Sequence, residues 1–381
     1  MNKKIMYHMR NIAKMAVQNG ILPIAYKIAK LRFSGEKTLY VFADAHHVEI
    51  PFSLDAMYRY VKSLGIEPVC HFYDYTHEGS WKSLKHAISF MDILVRAKYV
   101  FICDTFSPVS AGGHDADTKI VQLCHFAGPL KKLGYVTEDD VPTYYKGNVF
   151  KNYDLVSVSS EMYVPLLAEA MRQEDGVVQA LGVSRSDVYY DKEWVASCKE
   201  EFYKQFPNAH EKKILLWAPT FRGKASSPDA LDNETFSRLQ EKLGDEWLVL
   251  IKHHPHDDAV VKDPKYRSNC AIPSERLLPV VDFLITDYST VVSDFLLYER
   301  PFILYAPDLD EYEKKRGFFL DYRSITKNMT KDAENLDVMI KEVYQQWLDG
   351  DREEIRQTRE RLMAACDGNA TKRIMEYIYN M

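Results

Sequence analysis

Short apolar runs alternate with longer, charged amphipathic stretches along most of this chain, and this alternation limits its fold more than any other feature. Apolar strands separated by charged helices indicate parallel sheets with both faces covered. The runs form two series, which predicts two doubly wound α/β domains. The predicted strands are 39–43, 69–73, 99–104, 120–124, 155–159 and 177–181 in the first series and 214–218, 247–252, 283–286 and 302–305 in the second.

The predicted organisation has three parts. A length of 381 residues accommodates two such domains and an appendage. We expect basic amphipathic helices in residues 1–35, an N-terminal α/β domain in 36–205 and a C-terminal α/β domain with terminal helices in 206–381. The charged segment 191–210 is the predicted join between the two domains.

The first 34 residues contain seven Lys or Arg side chains and no acidic one. Their apolar residues recur at near-helical spacing, and Gly20 and Pro23 predict a division into two short helices. A basic amphipathic pair suits an anionic membrane surface. The alternative is that these helices pack on the body of the protein with a solvated basic face. No apolar run reaches the length of about 18 residues that spans a bilayer, and no signal peptide is predicted.

Charge and cysteine content limit the class of binding partner and the cellular compartment. The net charge of −6, from 49 basic and 55 acidic residues, disfavours a nucleic-acid partner. Six cysteines without a CxxC pair predict free thiols in a reducing cytoplasm. Three of these cysteines (Cys70, Cys103 and Cys124) lie in strand-like apolar runs and are expected to be buried.

Chemically reactive side chains follow several predicted strands, at the edge where open α/β sheets bind ligands. After strand 120–124 comes His125, followed by Gly128 and Lys131. A histidine in this position suits a general base, because its ordinary pKa lies near neutrality. Gly128 permits close approach of a ligand to the backbone, and Lys131 or Lys132 offers a charge for a phosphate.

Two motifs follow strands of the second series. WAPTFRG contains Thr220 and Arg222, a hydroxyl and a planar guanidinium that match phosphate oxygens. Pairing of Arg222 with a local carboxylate is the alternative for that side chain. In KHHPH, one of the three histidines is predicted to neutralise a phosphate. A metal site is the less favoured interpretation, because only two aspartates follow as companion ligands.

The motif TDYSTVVSD gives the strongest signal. A buried strand runs into Asp287, Ser289 and Thr290 and then into a predicted helix. Two hydroxyls and the free backbone N–H groups of a helix start predict an anion site, and N-capping by Asp287 or Ser289 is compatible with it. Downstream, RGFFLDY adds Arg316 and Asp321, which suit an anion and a hydroxylated ligand.

In order, the motifs HFAGPLKKLG, WAPTFRG, KHHPH, ITDYSTVVSDF and RGFFLDY resemble those of the CDP-glycerol glycerophosphotransferase family, the teichoic-acid primases and polymerases of Gram-positive bacteria. The resemblance implies a GT-B-like fold of two Rossmann-like domains. It implies transfer of glycerol phosphate from CDP-glycerol, or of a related CDP-polyol, to a hydroxyl of an undecaprenyl-diphosphate-linked saccharide, with release of CMP. It also implies a peripheral enzyme at the cytoplasmic face of the cell membrane, without a cofactor or metal.

The same resemblance implies roles for individual residues. His125 would be the catalytic base, within Cys-His-Phe where the family has Trp-His-Gly, and His254 would act on the donor diphosphate. The segment GVSRSD resembles the family's Gly-x-Pro-Arg-x-Asp, so Arg185 and Asp187, with Gly128 and Lys131, are candidates for acceptor binding or support. The residues that would hold donor phosphates or complete the donor pocket are Thr220, Arg222, Ser289, Thr290, Arg316 and Asp321.

Several alternatives stay open from the sequence. The enzyme could use CDP-ribitol or make a capsule polyol phosphate, or be a nucleotide-sugar glycosyltransferase or epimerase of the same architecture. A catalytically silent membrane scaffold is the alternative of another class. Because only residues 1–35 precede the predicted domains, we expect a primase-like enzyme that adds one unit, or a short polymerase, rather than one of the longer polymerases. The sequence is compatible with a homo-oligomer.

Overall fold

The computed structural model describes residues 3–75, 80–138, 140–220, 222–224, 227–229, 234–252 and 269–381. The chain divides into two compact units. The first unit comprises Met1–Ala127, Leu133–Asp187 and Ala365–Met381, and the second comprises Gly128–Lys132 and Val188–Ala364.

Six parallel strands form the sheet of the first unit. They are β1 (Leu39–Asp44), β2 (Val69–Phe72), β3 (Ala97–Ile102), β4 (Lys119–Gln122), β5 (Leu155–Ser157) and β6 (Val178–Gln179). Their order in the sheet is β2-β1-β3-β4-β5-β6. The helices of this part of the chain are α1 (Lys3–Ala16), α2 (Leu22–Arg32), α3 (Phe52–Ser63), α4 (Ser80–Leu94), α5 (Ser107–Ala111) and α6 (Tyr163–Met171), and 3-10 turns cover Gly134–Val136 and Ser184–Tyr190.

The central strands of this sheet are buried on both faces, as the apolar runs predict. Phe42 of β1 and Phe101 of β3 are fully buried and stack on each other, with ring centroids 4.9 Å apart. Helix α3 covers them with Leu54, Met57 and Val61, whose spacing places them on one helix face. Burial of these side chains is the main source of stability in the unit.

The N-terminal helices differ from the two separate helices that the sequence predicts. A five-residue π-helical segment, Val17–Ile21, connects α1 to α2 without a loop. Pro23 occupies the first turn of α2. The carboxylate of Asp115 fastens α2 to the body, because it accepts hydrogen bonds from the Tyr26 hydroxyl and from the ammonium groups of Lys30 and Lys37.

The second unit contains a five-stranded parallel sheet and a short antiparallel hairpin. Its strands are β7 (Lys213–Ala218), β8 (Arg222–Lys224), β9 (Ser227–Asp229), β10 (Trp247–Ile251), β11 (Phe283–Thr286), β12 (Phe302–Tyr305) and β13 (Met329–Thr330). The parallel sheet has the order β10-β7-β11-β12-β13, and β8 pairs with β9. The helices are α7 (Lys192–Gln205), α8 (Glu234–Leu243), α9 (Ser274–Leu277), α10 (Val291–Leu296), α11 (Leu309–Lys315), α12 (Leu336–Leu348) and α13 (Glu353–Met363), with 3-10 turns at Pro207–Ala209 and Tyr322–Ser324.

The last helix, α14 (Ala370–Tyr379), belongs to the first unit. It buries Ile374 and Met375 in the core of that unit. The bounds of the compact units therefore differ from the domain ranges expected from sequence, 36–205 and 206–381. Besides the short segment Gly128–Lys132, the second unit comprises Val188–Ala364. A linear domain boundary is the simplest expectation from sequence, and the return of α14 to the first sheet replaces it.

One cysteine expectation is wrong. Cys103 and Cys124 are buried, as predicted, but Cys70 is exposed. Cys70 lies on β2, an edge strand of the first sheet, which has a neighbouring strand on one side only. All six thiols are free.

Candidate functional site

His125 lies just beyond the carboxyl end of β4, and about half of its side chain is exposed. Its Nδ1 atom is 3.3 Å from the carbonyl oxygen of Cys103 and 3.6 Å from Oδ2 of Asp104. Two acceptors on this side favour the tautomer in which Nδ1 carries the proton. Nε2 is then the nitrogen that can accept a proton from a substrate hydroxyl.

Sequence reasoning missed four acidic or imidazole side chains near the carboxyl ends of β1 and β3. Together with His125 they form a group that we call the imidazole cluster: Asp44, His46, His47, Asp104 and His125. The signal was present in the sequence, because Asp44 ends β1 and Asp104 closely follows β3 at the same sheet edge. His46 Nε2 lies 3.7 Å from Oδ2 of Asp104, so one carboxylate serves two imidazoles.

The second pair of the imidazole cluster is tighter. His47 Nδ1 lies 2.7 Å from Oδ1 of Asp44, and Asp44 is almost fully buried. Burial acts to raise the pKa of Asp44, but hydrogen bonds from the His47 ring and the His46 backbone outweigh it and lower that pKa. The hydrogen bond to Asp44 raises the pKa of His47 above its ordinary value. His47 therefore retains its positive charge to a higher pH than an isolated histidine.

Arg185 and Asp187 both have supporting contacts in the first unit. Arg185 donates a hydrogen bond to the backbone carbonyl of His125, at 2.9 Å. The carboxylate of Asp187 accepts the backbone N–H groups of Ala370 and Thr371, at 3.0 and 2.7 Å, and so caps α14. The segment GVSRSD thus fastens both the candidate base and the returning helix.

At the carboxyl edge of the second sheet, Asp287 connects two strand ends. Its Oδ1 accepts the backbone N–H of Thr220, at 2.8 Å, and that of Tyr288, at 2.6 Å. The Tyr322 hydroxyl donates to the backbone carbonyl of Asp287. Asp287 is therefore buried and connects the loops after β7 and β11.

Ser289 and Thr290 are partly exposed and directly precede α10. The Ser289 hydroxyl accepts the backbone N–H of Val291 at 3.3 Å, which is the capping contact that the sequence allows for this residue. Helix α10 has only six residues, so its dipole is small. The two hydroxyls, rather than the helix start, have to provide most of any anion binding at this motif.

The motif after His125 pairs with the RGFF motif inside the second unit. Lys132 donates its backbone N–H to Gly317, and Phe319 donates to Leu130, at 3.1 and 2.9 Å. Lys131 forms the antiparallel bridge to Phe318, and its side chain is partly exposed. Two motifs that are distant in sequence thus form one short ladder.

Three other predicted site residues near this ladder form hydrogen bonds. The guanidinium of Arg316 donates from Nε to the Lys132 carbonyl at 3.1 Å. The Gly128 carbonyl accepts the Ser293 hydroxyl at 3.0 Å. Asp321 is exposed and accepts the backbone N–H of Arg323, so it caps a 3-10 turn. Arg316, Lys131 and Lys132 are positively charged side chains of this region.

The side chains of two predicted site residues lie outside the described part of the structure. His254 and the rest of KHHPH after Lys252 lie outside the described residues, and Arg222 lies on β8 without a described side chain. Among the residues that the structure does describe, no three His, Cys, Asp or Glu side chains are arranged to hold a metal ion. In that same part of the chain, no helix combines the length and apolarity needed to cross a membrane.

Two Rossmann-like parallel-sheet units give the chain a GT-B-like α/β fold. A structure of a variant of the wall teichoic acid polymerase TagF, soaked with CDPG, has the same fold, with a TM-score of 0.72, 18% identity and coverage of 99% of this chain and 97% of that one. The chain belongs to the CDP-glycerol:poly(glycerophosphate) glycerophosphotransferase family, whose sequence profile matches residues 25–380. The predicted family and fold are therefore confirmed.

Two curated relatives are primases of teichoic-acid synthesis. A teichoic acid ribitol-phosphate primase of Bacillus spizizenii is 27% identical over 95% of this chain and 96% of its own length. A teichoic acid glycerol-phosphate primase of Bacillus subtilis is 28% identical over 78% of this chain and 77% of its own length. The protein is accordingly an enzyme of the CDP-glycerol glycerophosphotransferase type, a CDP-polyol phosphotransferase of teichoic-acid synthesis.

Proposed function

We propose that this enzyme is a primase, which transfers one glycerol phosphate from CDP-glycerol to a hydroxyl of a membrane lipid-linked saccharide and releases CMP. The observation that carries the proposal is the orientation of His125, whose Nδ1 faces Cys103 and Asp104 and whose Nε2 is suited to accept a hydroxyl proton. The near-complete length match to a ribitol-phosphate primase supports the addition of a single unit.

The proposed reaction is a displacement at the β-phosphorus of the donor. The acceptor hydroxyl oxygen forms the new bond to phosphorus while its proton moves to Nε2 of His125. The bond between the β-phosphorus and the bridging oxygen breaks, and CMP leaves with that electron pair. Donors to the phosphate oxygens stabilise the charge of the transferring group, and we assign this role to Ser289, Thr290 and Arg316, with Arg222 and His254.

CDP-ribitol is the second candidate donor. The specific observation in its favour is that the ribitol-phosphate primase matches 95% of this chain, whereas the glycerol-phosphate primase matches 78%. Both donors present the same diphosphate to the second unit and differ only in the length of the polyol. Parallel assays with the two donors therefore decide the polyol without changing the proposed mechanism.

We propose in addition that the N-terminal helices bind an anionic membrane. Apolar side chains of α1 and α2 remain exposed although they lie on helices, with Leu31 at 88% and Ile24 at 61%. Helix α4, which contacts α2, adds exposed Trp81 at 67%. Exposed apolar side chains among lysines fit a headgroup zone, and tryptophan is favoured there. We call these three helices the membrane face.

Vesicle sedimentation tests whether the membrane face binds lipid. Leu31→Asp places a negative charge on α2, and we expect it to reduce binding to vesicles that contain anionic phospholipid by about tenfold. Leu348→Asp is the matched control, since Leu348 is also exposed on a helix but lies in the second unit. Equal binding of both variants and the wild type would contradict the membrane assignment.

Replacement of His125 tests the catalytic proposal. We expect His125→Asn to reduce CMP release by about 10²–10⁴-fold, the usual contribution of a general base, while calorimetry shows unchanged donor binding. His210→Asn is the control, because His210 is exposed in the second unit and stacks only on Tyr203 in the described contacts. Full turnover by the His125 variant would refute the assignment of the base.

A further inference from the structure

Asp104 has the geometry of a residue that orients another side chain. Its Oδ1 accepts the backbone N–H of Thr105 at 2.6 Å, which fixes the rotation of the carboxylate. Its Oδ2 then faces Nδ1 of His125 at 3.6 Å and Nε2 of His46 at 3.7 Å. About a third of the Asp104 side chain is exposed.

A buried amide joins the two loops that carry Asp104 and His125. Gln122, the last residue of β4, donates from Nε2 to the backbone carbonyl of Asp104 at 3.2 Å. Its Oε1 accepts the backbone N–H of Cys124 at 3.0 Å. Both loops are therefore tied to one rigid side chain at the sheet edge.

The backbone before His125 is strained. Cys124 has a φ of 58°, in the left-handed region that residues other than glycine rarely adopt. Such strain persists where surrounding contacts impose it, and it is concentrated at functional sites. Here the contact from Gln122 holds Cys124, and the bond from Arg185 to the His125 carbonyl holds the next residue.

We propose that Asp104 is a positioning residue for His125, and that Gln122 fixes the separation of the two side chains. The inference rests on the proposed function of His125 as the base. The carboxylate keeps the proton on Nδ1, so that Nε2 accepts the acceptor proton, and it stabilises the imidazolium that this transfer creates. His46 shares the same carboxylate and limits its rotation from the other side.

Asp104→Asn preserves the shape of the side chain and removes its charge. We expect kcat to fall by about 10–100-fold, as for other supporting groups of a catalytic site, with KM for the CDP-polyol unchanged. The other titratable groups of the imidazole cluster are His46 and the Asp44–His47 pair, and they stay in place. Loss of the carboxylate disfavours the imidazolium, so the acidic limb of the pH profile should move to lower pH.

Two further variants separate positioning from folding. Asp104→Glu retains the charge but not the distance, so we expect partial activity with the acidic limb near its wild-type position. Asp55→Asn is the matched control: Asp55 is an acid of the same unit, paired with Arg59 on the surface of α3. It should leave kcat and the pH profile unchanged. A lower thermal midpoint of Asp104→Asn with an unmoved pH profile would mean a merely structural role and overturn the proposal.

NMR of the ¹⁵N-labelled imidazoles provides a readout that does not need turnover, with His125 assigned from the His125→Asn spectrum. The proposal predicts an Nδ1–H tautomer of His125 in the wild type and a loss of that preference in Asp104→Asn. An unchanged tautomer in the variant would overturn it. If the wild type releases no CMP from either donor, the proposed function fails, and the NMR result still decides whether Asp104 positions His125.

Discussion

Replacement of His71 by phenylalanine is expected to make the stability of the protein less sensitive to acid. His71 lies on β2 and is only 7% exposed. Its ring stacks on His86 with centroids 3.7 Å apart, and it also contacts the rings of Phe90 and Phe106. Phenylalanine preserves an aromatic ring at this position and removes the titrating nitrogen atoms.

The magnitude follows from the environment of the ring. Burial, and then the neighbouring His86, lower the pKa of His71 from 6.5 to about 4. As the pH falls, the unfolded chain binds the proton before the folded protein does, so the folded state loses stability. Above about pH 6.5 the neutral His71 does not reduce the free energy of unfolding. Below that pH its titration lowers the free energy of unfolding, by about 2 kcal/mol at pH 5 and about 3 kcal/mol at pH 4.

Urea unfolding of the wild type and His71→Phe between pH 8 and pH 4.5 measures this effect. The difference in unfolding free energy between the two proteins should be constant above pH 7, where it reports only the change in packing. It should then shift in favour of the variant by about 2 kcal/mol as the pH reaches 5. A difference that stays constant over the whole range would refute the burial of a neutral His71.

Two more substitutions test contacts that join distant parts of the first unit. Gly182 has a φ of 92° and packs against the Ala365 carbonyl, whereas Gly176 has a φ of 88° and open space around it. Gly182→Ala should therefore cost about 2 kcal/mol more unfolding free energy than Gly176→Ala, and equal costs in urea titrations would disprove the close approach. Asp115→Asn removes the carboxylate that fastens α2, and we expect trypsin to cleave α2 several-fold faster than in Asp117→Asn, a neighbouring exposed acid. Equal cleavage rates would argue against that anchor.

Much of the fold could be predicted because many core residues lie in continuous apolar runs of the sequence. The predicted strand Phe283–Thr286 has the same bounds in the structure, since a fully buried parallel strand is apolar throughout. The hairpin of β8 and β9 was not predicted, because the strands Arg222–Lys224 and Ser227–Asp229 contain no apolar core residue. Its pairing comes from backbone hydrogen bonds that leave no pattern in the sequence.

The candidate site was predictable only in part, for a physical reason. His125 could be selected because it follows a strand and is itself reactive. The imidazole cluster could not be assembled, because the proximity of Asp104 and His46 depends on β1 and β3 being neighbours in the sheet. Strand order is set by long-range packing and is not encoded in local periodicity. The capping of α14 by Asp187 also depends on long-range packing and could not be predicted.

The most direct test of the central claim is the mass of the acceptor after reaction. The purified protein is incubated with CDP-glycerol or CDP-ribitol and a lipid-linked disaccharide acceptor, and CMP is measured in the same sample. We predict that one of the two donors adds the mass of a single polyol phosphate, with one CMP released for each acceptor converted. A ladder of added units would contradict the primase assignment, and an unchanged acceptor with both donors would contradict the proposed transfer itself.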